Sequence, residues 1–112
     1  MIRGTTPDYI LQIQNIDLTG KTVYATFAQG SFKITKSNDE VVISTTTTEE
    51  GVVSEIAITL SQEETLKLRE GTAEVQVKWI DADGHVEGTE IANVPVSKAL
   101  LDKVIQYANS TP

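Results

Sequence analysis

The chain of 112 residues contains no cysteine, and this absence excludes several kinds of chemistry. Without thiols there is no disulfide framework, no thiolate metal site and no cysteine nucleophile. The single histidine, His85, leaves a zinc or di-iron centre without its usual ligands. The fold must therefore be held by packing and hydrogen bonds, which a single domain of this length can supply.

Basic residues and long apolar runs are also scarce. Nine Lys and Arg face sixteen Asp and Glu, so the formal net charge is −7. Nucleic acids and anionic membrane surfaces attract clustered positive charge, and we expect neither as a partner. No run approaches the roughly 18 apolar residues of a membrane-spanning helix. The start, MIRGTTP, lacks the apolar stretch of a signal peptide, so we expect a protein made in the cytoplasm and not secreted by such a signal.

What the chain does contain is apolar and polar residues in alternation. In TAEVQVKWI (72–80), Ala73, Val75, Val77 and Trp79 share one face and polar residues share the other. This pattern is typical of a half-buried strand. Repeated strands with turn signals between them predict an all-β fold, an immunoglobulin-like antiparallel β-sandwich. About seven strands are predicted, at 8–14, 22–28, 32–36, 40–45, 52–60, 72–80 and 85–96, the last bent near Gly88.

Two segments depart from the alternation. Ser61 and Glu64 match a capping box, which predicts a short helical turn over 61–68. Ser97 is placed to cap a second helix over 97–108, whose apolar residues recur at helical spacing. The predicted organisation is a sandwich over 1–96 and a C-terminal helix with a frayed tail over 97–112. The apolar stripe of this second helix includes Leu100, Leu101, Val104 and Ile105.

The stretch WIDADGH (79–85) resembles part of a calcium-binding loop. In the best frame Asp81, Asp83, Gly84 and Glu90 fall at positions 3, 5, 6 and 12 of an EF-hand. Position 1 is then Trp79, which offers no oxygen ligand, and the flanking segments are strands instead of helices. Asp-Gly between alternating strands instead favours a tight hairpin of type I′. We therefore predict a turn here and no metal site.

No motif for catalysis is present. The sequence has no G-x-S-x-G, H-E-x-x-H, P-loop or G-x-G-x-x-G pattern. His85 lies beside a turn without an evident nucleophile to activate, so it is not predicted to be a catalytic base. Trp79 suits either a sugar-stacking surface or a core position, and its alternation with Val75 and Val77 favours the core. We predict that the protein is not an enzyme and binds no cofactor.

Four stretches occur in an order and spacing that resemble a known group: MIRGTTP (1–7), DLTGKTVYATFAQ (17–29), ITLSQEETLKL (58–68) and VQVKWIDADG (75–84). They resemble small structural proteins of tailed phages and prophages of Gram-positive bacteria. They also resemble, more loosely, the immunoglobulin-like N-terminal domain of phage upper-baseplate proteins. The likeness covers about residues 1–100. It implies a virion component that acts by protein–protein assembly, and it supplies no catalytic residues.

The resulting hypothesis is a structural protein of the tail, baseplate or head region of a virion. Its partners would be other phage structural proteins or further copies of itself, and the amphipathic C-terminal segment offers a contact surface. The alternative is a module that binds a glycan or receptor on the host surface. The predicted assembly contacts are Leu100, Leu101, Val104 and Ile105.

Overall fold

The computed structural model describes residues 1–101 and 103–105, with the backbone alone at Asn38. These residues form eight strands, one α-helix and one 3-10 turn. The strands are β1 (Asp8–Gln14), β2 (Thr22–Gln29), β3 (Phe32–Ser37), β4 (Val41–Thr48), β5 (Gly51–Thr59), β6 (Gly71–Ile80), β7 (Val86–Gly88) and β8 (Ala92–Val96); the 3-10 turn spans Asn38–Glu40 and the helix α1 spans Gln62–Lys67.

The strands form two antiparallel sheets. One has the order β1-β5-β4, and the other has the order β3-β2-β6-β7, with β8 also paired to β6. In the lettering of immunoglobulin domains these orders are B-E-D and C′-C-F-G, with β7 and β8 together in the place of G. The predicted all-β, immunoglobulin-like sandwich is confirmed. In the described part of the chain, no strand occupies the position of strand A, beside β1.

The core lies between the two sheets and follows the alternation seen in the sequence. Tyr9 and Phe27 join the sheets by an edge-to-face ring contact, with centroids 5.6 Å apart. Burying a side chain such as Val, Leu, Ile or Phe contributes about 1.5–3 kcal/mol, so this layer is the main source of stability. The cluster of buried residues comprises Leu18, Val23, Ala25, Phe27, Ile34, Val41, Ile56, Ile58, Leu60, Val75, Val77, Trp79 and Val94.

The last predicted strand, over 85–96, is divided in two by a β-bulge. Gly88 pairs with β6 in β7, and the next residue, Thr89, continues the ladder: its N–H donates to Val77 O at 2.8 Å. The Thr89 hydroxyl then accepts the Val77 N–H at 3.1 Å, where a backbone carbonyl would normally do so. When β8 resumes the pairing, the register has shifted by one, which leaves residues 90–91 opposite Gln76. The bend predicted near Gly88 therefore lies two residues further on.

A buried hydroxyl holds the loop that carries the chain from the first sheet to the second. Ser54 is fully buried. Its Oγ donates to Ile16 O at 2.6 Å and accepts the Leu18 N–H at 3.1 Å. A polar group in the interior costs free energy unless it is paired, and here both roles of the hydroxyl are filled. This pairing places Leu18 in the core.

The short helix α1 begins as predicted. Ser61 Oγ accepts the Glu64 N–H at 3.1 Å, and Glu64 Oε1 accepts the Ser61 N–H at 2.8 Å. These two bonds are the reciprocal contacts of a capping box. The helix ends at Lys67, before Gly71, and Gly71 is the first residue of β6, at φ 133°.

The predicted C-terminal helix is wrong over the described residues 97–101 and 103–105, none of which is helical. The Ser97 N–H donates to Met1 O at 2.7 Å, and Ser97 O accepts the Arg3 N–H at 3.1 Å. Ser97 therefore pairs with Ile2 in a parallel bridge, directly after β8, instead of capping a helix. A helix of about twelve residues is marginal unless its apolar face is packed, and the described apolar residues Leu100, Leu101, Val104 and Ile105 stay 40–96% exposed. Residues 102 and 106–112, including the rest of the predicted helix and the tail, lie outside the described residues.

Candidate functional site

The WIDADGH stretch forms the hairpin turn between β6 and β7. The Asp81 N–H donates to His85 O at 3.1 Å, and the Gly84 N–H donates to Asp81 O at 3.1 Å. The predicted turn is confirmed, but the predicted type I′ is wrong. Type I′ needs positive φ at two central residues, whereas only Gly84 in this turn has positive φ, at 87°. The loop has three residues, 82–84, with glycine in the left-handed position.

The Asp81 carboxylate explains this turn geometry. Its Oδ1 accepts the Asp83 N–H at 2.9 Å and the His85 N–H at 3.0 Å. Both bonds lower the pKa of Asp81 below its usual value, and the bond from the His85 N–H has the larger effect. The carboxylate thus stabilises the turn itself, and this is the local function the geometry supports. Within residues 1–101 and 103–105, no group of three or more His, Asp or Glu side chains could hold a metal ion.

Trp79 is in the core, with an exposed fraction of only 5%. The interpretation of Trp79 as a core residue is confirmed, and this side chain cannot stack on a sugar at the surface. His85 is exposed beside the turn.

An open cleft of about 520 Å³ lies at the end of the sandwich that carries the 81–85 turn. It is lined by Leu18, Thr19, Gly20, Lys21, Thr22, Ile43 and Thr45.

The four apolar residues predicted as assembly contacts lie at the surface, close together in the chain. Monomeric proteins expose single apolar side chains routinely, but clusters of them mark contact sites more often. Because the segment is not helical, the four side chains do not form the predicted stripe. Their exposed fractions are 96% for Leu100, 48% for Leu101, 40% for Val104 and 58% for Ile105.

One glutamine side chain attaches this apolar segment to α1. Gln62 Nε2 donates to Ile105 O at 2.9 Å, and Gln62 Oε1 accepts the Ile105 N–H at 2.7 Å. The amide thereby satisfies both backbone groups of Ile105, as a neighbouring strand would. This contact holds the backbone of the segment and leaves its apolar side chains exposed.

The N-terminal residues Arg3, Gly4 and Thr5 contact the C-terminal half of α1. These contacts were not predicted from the sequence. Thr65 is fully buried; its Oγ1 accepts the Gly4 N–H at 2.9 Å and donates to Thr5 O at 2.8 Å. The Arg3 guanidinium donates to the carbonyls of Leu66 and Leu68, where the helix ends. These positions show no periodicity, so the only sequence signal was that Arg3 is the single charged side chain among the first seven residues.

An ion pair joins α1 to β3. Lys36 Nζ lies 2.8 Å from Glu64 Oε2, and the other oxygen of this carboxylate already accepts the Ser61 N–H. Partial burial alone would raise the pKa of Glu64, but the Lys36 ammonium and the Ser61 N–H outweigh it, and the pKa lies below its usual value. The helix α1, to which Gln62 attaches the apolar segment, is therefore itself held in place by hydrogen bonds and an ion pair.

Two further findings bear on the surface. No helix among the described residues is long and apolar enough to cross a membrane. Neither the protein-family models, nor the curated proteins, nor the solved structures gave a match to the chain. The function must therefore be inferred from the chemistry of the chain, whose most distinctive surface is the apolar segment formed by Leu100, Leu101, Val104 and Ile105.

Proposed function

We propose that this protein is a non-catalytic structural component of a phage or prophage virion that acts by protein–protein assembly. The observation that carries the proposal is the exposure of four apolar side chains within residues 100–105. The sequence resemblance to phage structural proteins supplies the virion context. A partner that covers these side chains removes apolar surface from water, which stabilises a complex by about 25 cal/mol per Å² before the cost of association.

The way the segment is held supports a contact role. Gln62 satisfies the backbone of Ile105, so a partner does not have to provide those hydrogen bonds. The segment also rests on a helix whose start is fixed by a capping box and an ion pair. A site that is partly ordered before binding loses less conformational entropy when the complex forms.

The test is the double substitution Leu101→Asp and Ile105→Asp. Because both side chains are about half exposed, the melting temperature should change little, while incorporation into assembled particles should fall at least tenfold. The matched control is Lys98→Ser with Lys103→Ser, which changes the net charge by the same amount and keeps the apolar side chains. Immunoblots of purified particles measure incorporation.

The proposal fails if the Asp double variant enters particles as well as the wild type does. It also fails if the lysine control loses incorporation to the same degree, since charge instead of apolar contact would then govern assembly.

A further inference from the structure

Strand β1 has one edge without a partner among the described residues. The Asn15 N–H donates to Val52 O at 2.7 Å, and the Leu60 N–H donates to Pro7 O at 3.1 Å. Both contacts involve odd-numbered positions, 7 and 15, that continue the β1–β5 register. Because hydrogen-bonded pairs alternate along an antiparallel ladder, the N–H and C=O groups of the odd-numbered residues of β1 point to β5. The N–H and C=O groups of the even-numbered residues point to the open edge. These are Asp8, Ile10, Gln12 and Gln14.

Both edges of the second sheet carry features that discourage pairing. Strand β3 contains two lysines, and β8 contains Pro95, whose carbonyl accepts the N-terminal ammonium of Met1 at 2.9 Å. Strand β4 is open, but its last four residues are threonines that extend past the apolar core. Strand β1 contains neither lysine nor proline and remains extended for seven residues. It is therefore the edge best suited to accept another strand.

The apolar side chains of β1 are incompletely covered. Tyr9, Leu11 and Ile13 point into the sandwich but are only partly buried, whereas their neighbours on β5 are fully buried. On the outer face, Ile10 is 55% exposed and lies in one row with Ala57 and Val42. A strand added beside β1 would cover apolar surface on both faces as well as the open hydrogen-bonding groups.

We propose that the strand that pairs with this edge is β1 of a second copy, antiparallel, with Leu11 on the two-fold axis. In this register Leu11 faces Leu11 and Tyr9 faces Ile13 of the other copy, so apolar residues meet on the inner face. The even-numbered residues pair as Asp8 with Gln14 and Ile10 with Gln12. All seven residues of the strand take part, and the two three-stranded sheets become one continuous sheet of six strands.

Strand overlap, with a smaller contribution from charge, favours this register over its neighbours. With Leu11 on the axis, the row across the new sheet reads Glu55, Gln12, Ile10, Ala57, and each row on the outer face holds at most one carboxylate. A shift that centres the axis on Gln12 places Glu55 of both copies in one row. A shift that centres it on Ile10 places Asp8 in one row with Glu55. Like charges two or three strands apart, at about 10–14 Å, repel only weakly. The stronger preference comes from overlap, because the Leu11 register pairs all seven residues of β1, whereas either shifted register pairs only five.

This surface is distinct from the apolar segment at 100–105, and the two can be separated by experiment. The 12.2 kDa chain should double in mass with rising concentration in light-scattering chromatography, and more so at high salt, which screens the repulsion. Gln12→Pro removes an N–H that points to the open edge, and it should abolish the doubling. The control Gln12→Thr loses the same amide side chain, keeps the N–H and should still dimerise.

A set of cysteine variants tests the register in a chain that has no cysteine of its own. Under mild oxidation Leu11→Cys should form at least tenfold more disulfide-linked dimer than Ile10→Cys or Gln12→Cys. On the axis the Cα atoms lie about 4.5 Å apart, within disulfide range, whereas residues displaced by one position from the axis are roughly 8 Å apart.

A monomeric wild type at millimolar concentration would overturn the proposal. So would a Gln12→Pro variant that still dimerises, or cross-linking that is strongest at position 10 or 12. Dimers that disappear in the Leu101→Asp and Ile105→Asp variant would place the interface at the apolar segment instead. Loss of particle incorporation in that variant, with dimers intact, would leave both proposals standing.

Discussion

Both ends of the described chain meet at α1, but they are held in different ways. The N-terminal residues contribute backbone groups to a fully buried hydroxyl, that of Thr65, and their arginine binds carbonyls at the end of the helix. The C-terminal segment is attached by an exposed amide pair at Gln62 and turns its apolar side chains to the solvent. The first contact belongs to the fold, whereas the second holds a surface in place.

This difference follows from desolvation. A buried polar group must keep its partners, because losing one leaves an unpaired group in the interior. An exposed hydrogen bond is replaced by water at little cost. The contacts of the two chain ends should therefore differ several-fold in their effect on the free energy of unfolding.

The largest effect is expected at Thr65. Thr65→Val keeps the shape of the side chain and removes the hydroxyl, which leaves the Gly4 N–H and the Thr5 carbonyl without their partner. The free energy of unfolding should fall by about 1–3 kcal/mol. Urea denaturation measures this change. Thr65→Ser retains the hydroxyl and should lose clearly less; equal losses in the two variants would show that packing, not the hydrogen bonds, sets the stability.

An intermediate and pH-dependent effect is expected at Glu64. Its pKa is lowered in the folded state, so the stabilisation is fully present above the usual glutamate pKa and is lost as the pH falls through the lowered value. Glu64→Gln should cost about 0.5–1.5 kcal/mol at neutral pH, and the deficit should shrink below the usual glutamate range. Thermal melts from pH 7 to about pH 3 measure it.

The control for Glu64 is its neighbour. Glu63 is exposed on the same helix, and Glu63→Gln makes the same charge change without touching the ion pair to Lys36. Its melting temperature should follow that of the wild type. A deficit of Glu64→Gln that stays constant down to pH 3 would contradict the assigned electrostatic contribution.

The smallest effect on stability is expected at Gln62. Gln62→Ala removes both bonds to Ile105, yet the free energy of unfolding should change by no more than about 0.5 kcal/mol because the contact is exposed. Hydrogen exchange of the Ile105 N–H should nevertheless become faster, since that N–H loses its acceptor. Glu63→Ala is the matched control on the same helix, and unchanged exchange in Gln62→Ala would argue against the contact.

The fold was largely predictable because its signals are local. Alternation in β2, β5 and β6 identifies their inward faces, and Ser61 with Glu64 identifies the start of α1. The division of the last strand was less predictable, because the Thr89 hydroxyl replaces a carbonyl only when Val77 lies opposite it. The turn at 81–85 was predicted from Asp-Gly, but its type depends on which N–H groups the Asp81 carboxylate accepts.

The candidate site was predicted in composition but not in conformation. Leu100, Leu101, Val104 and Ile105 have helical spacing, yet spacing produces a helix only where a surface packs against the apolar face. Here Ser97 pairs with the N-terminus instead, and the following segment lies against Gln62. The contacts of Arg3 and Gly4 with α1 join residues more than sixty positions apart and carry no periodic signal.

By itself the sequence determined the class of fold, the inward faces of its strands and the start of its helix, because each depends on neighbours two to four positions away. Only the tertiary structure decided which strand edge stays open, how both ends of the described chain meet α1 and where Leu100, Leu101, Val104 and Ile105 lie. Those features depend on pairings between distant segments, and the free energy of such pairings is set by which groups are buried together.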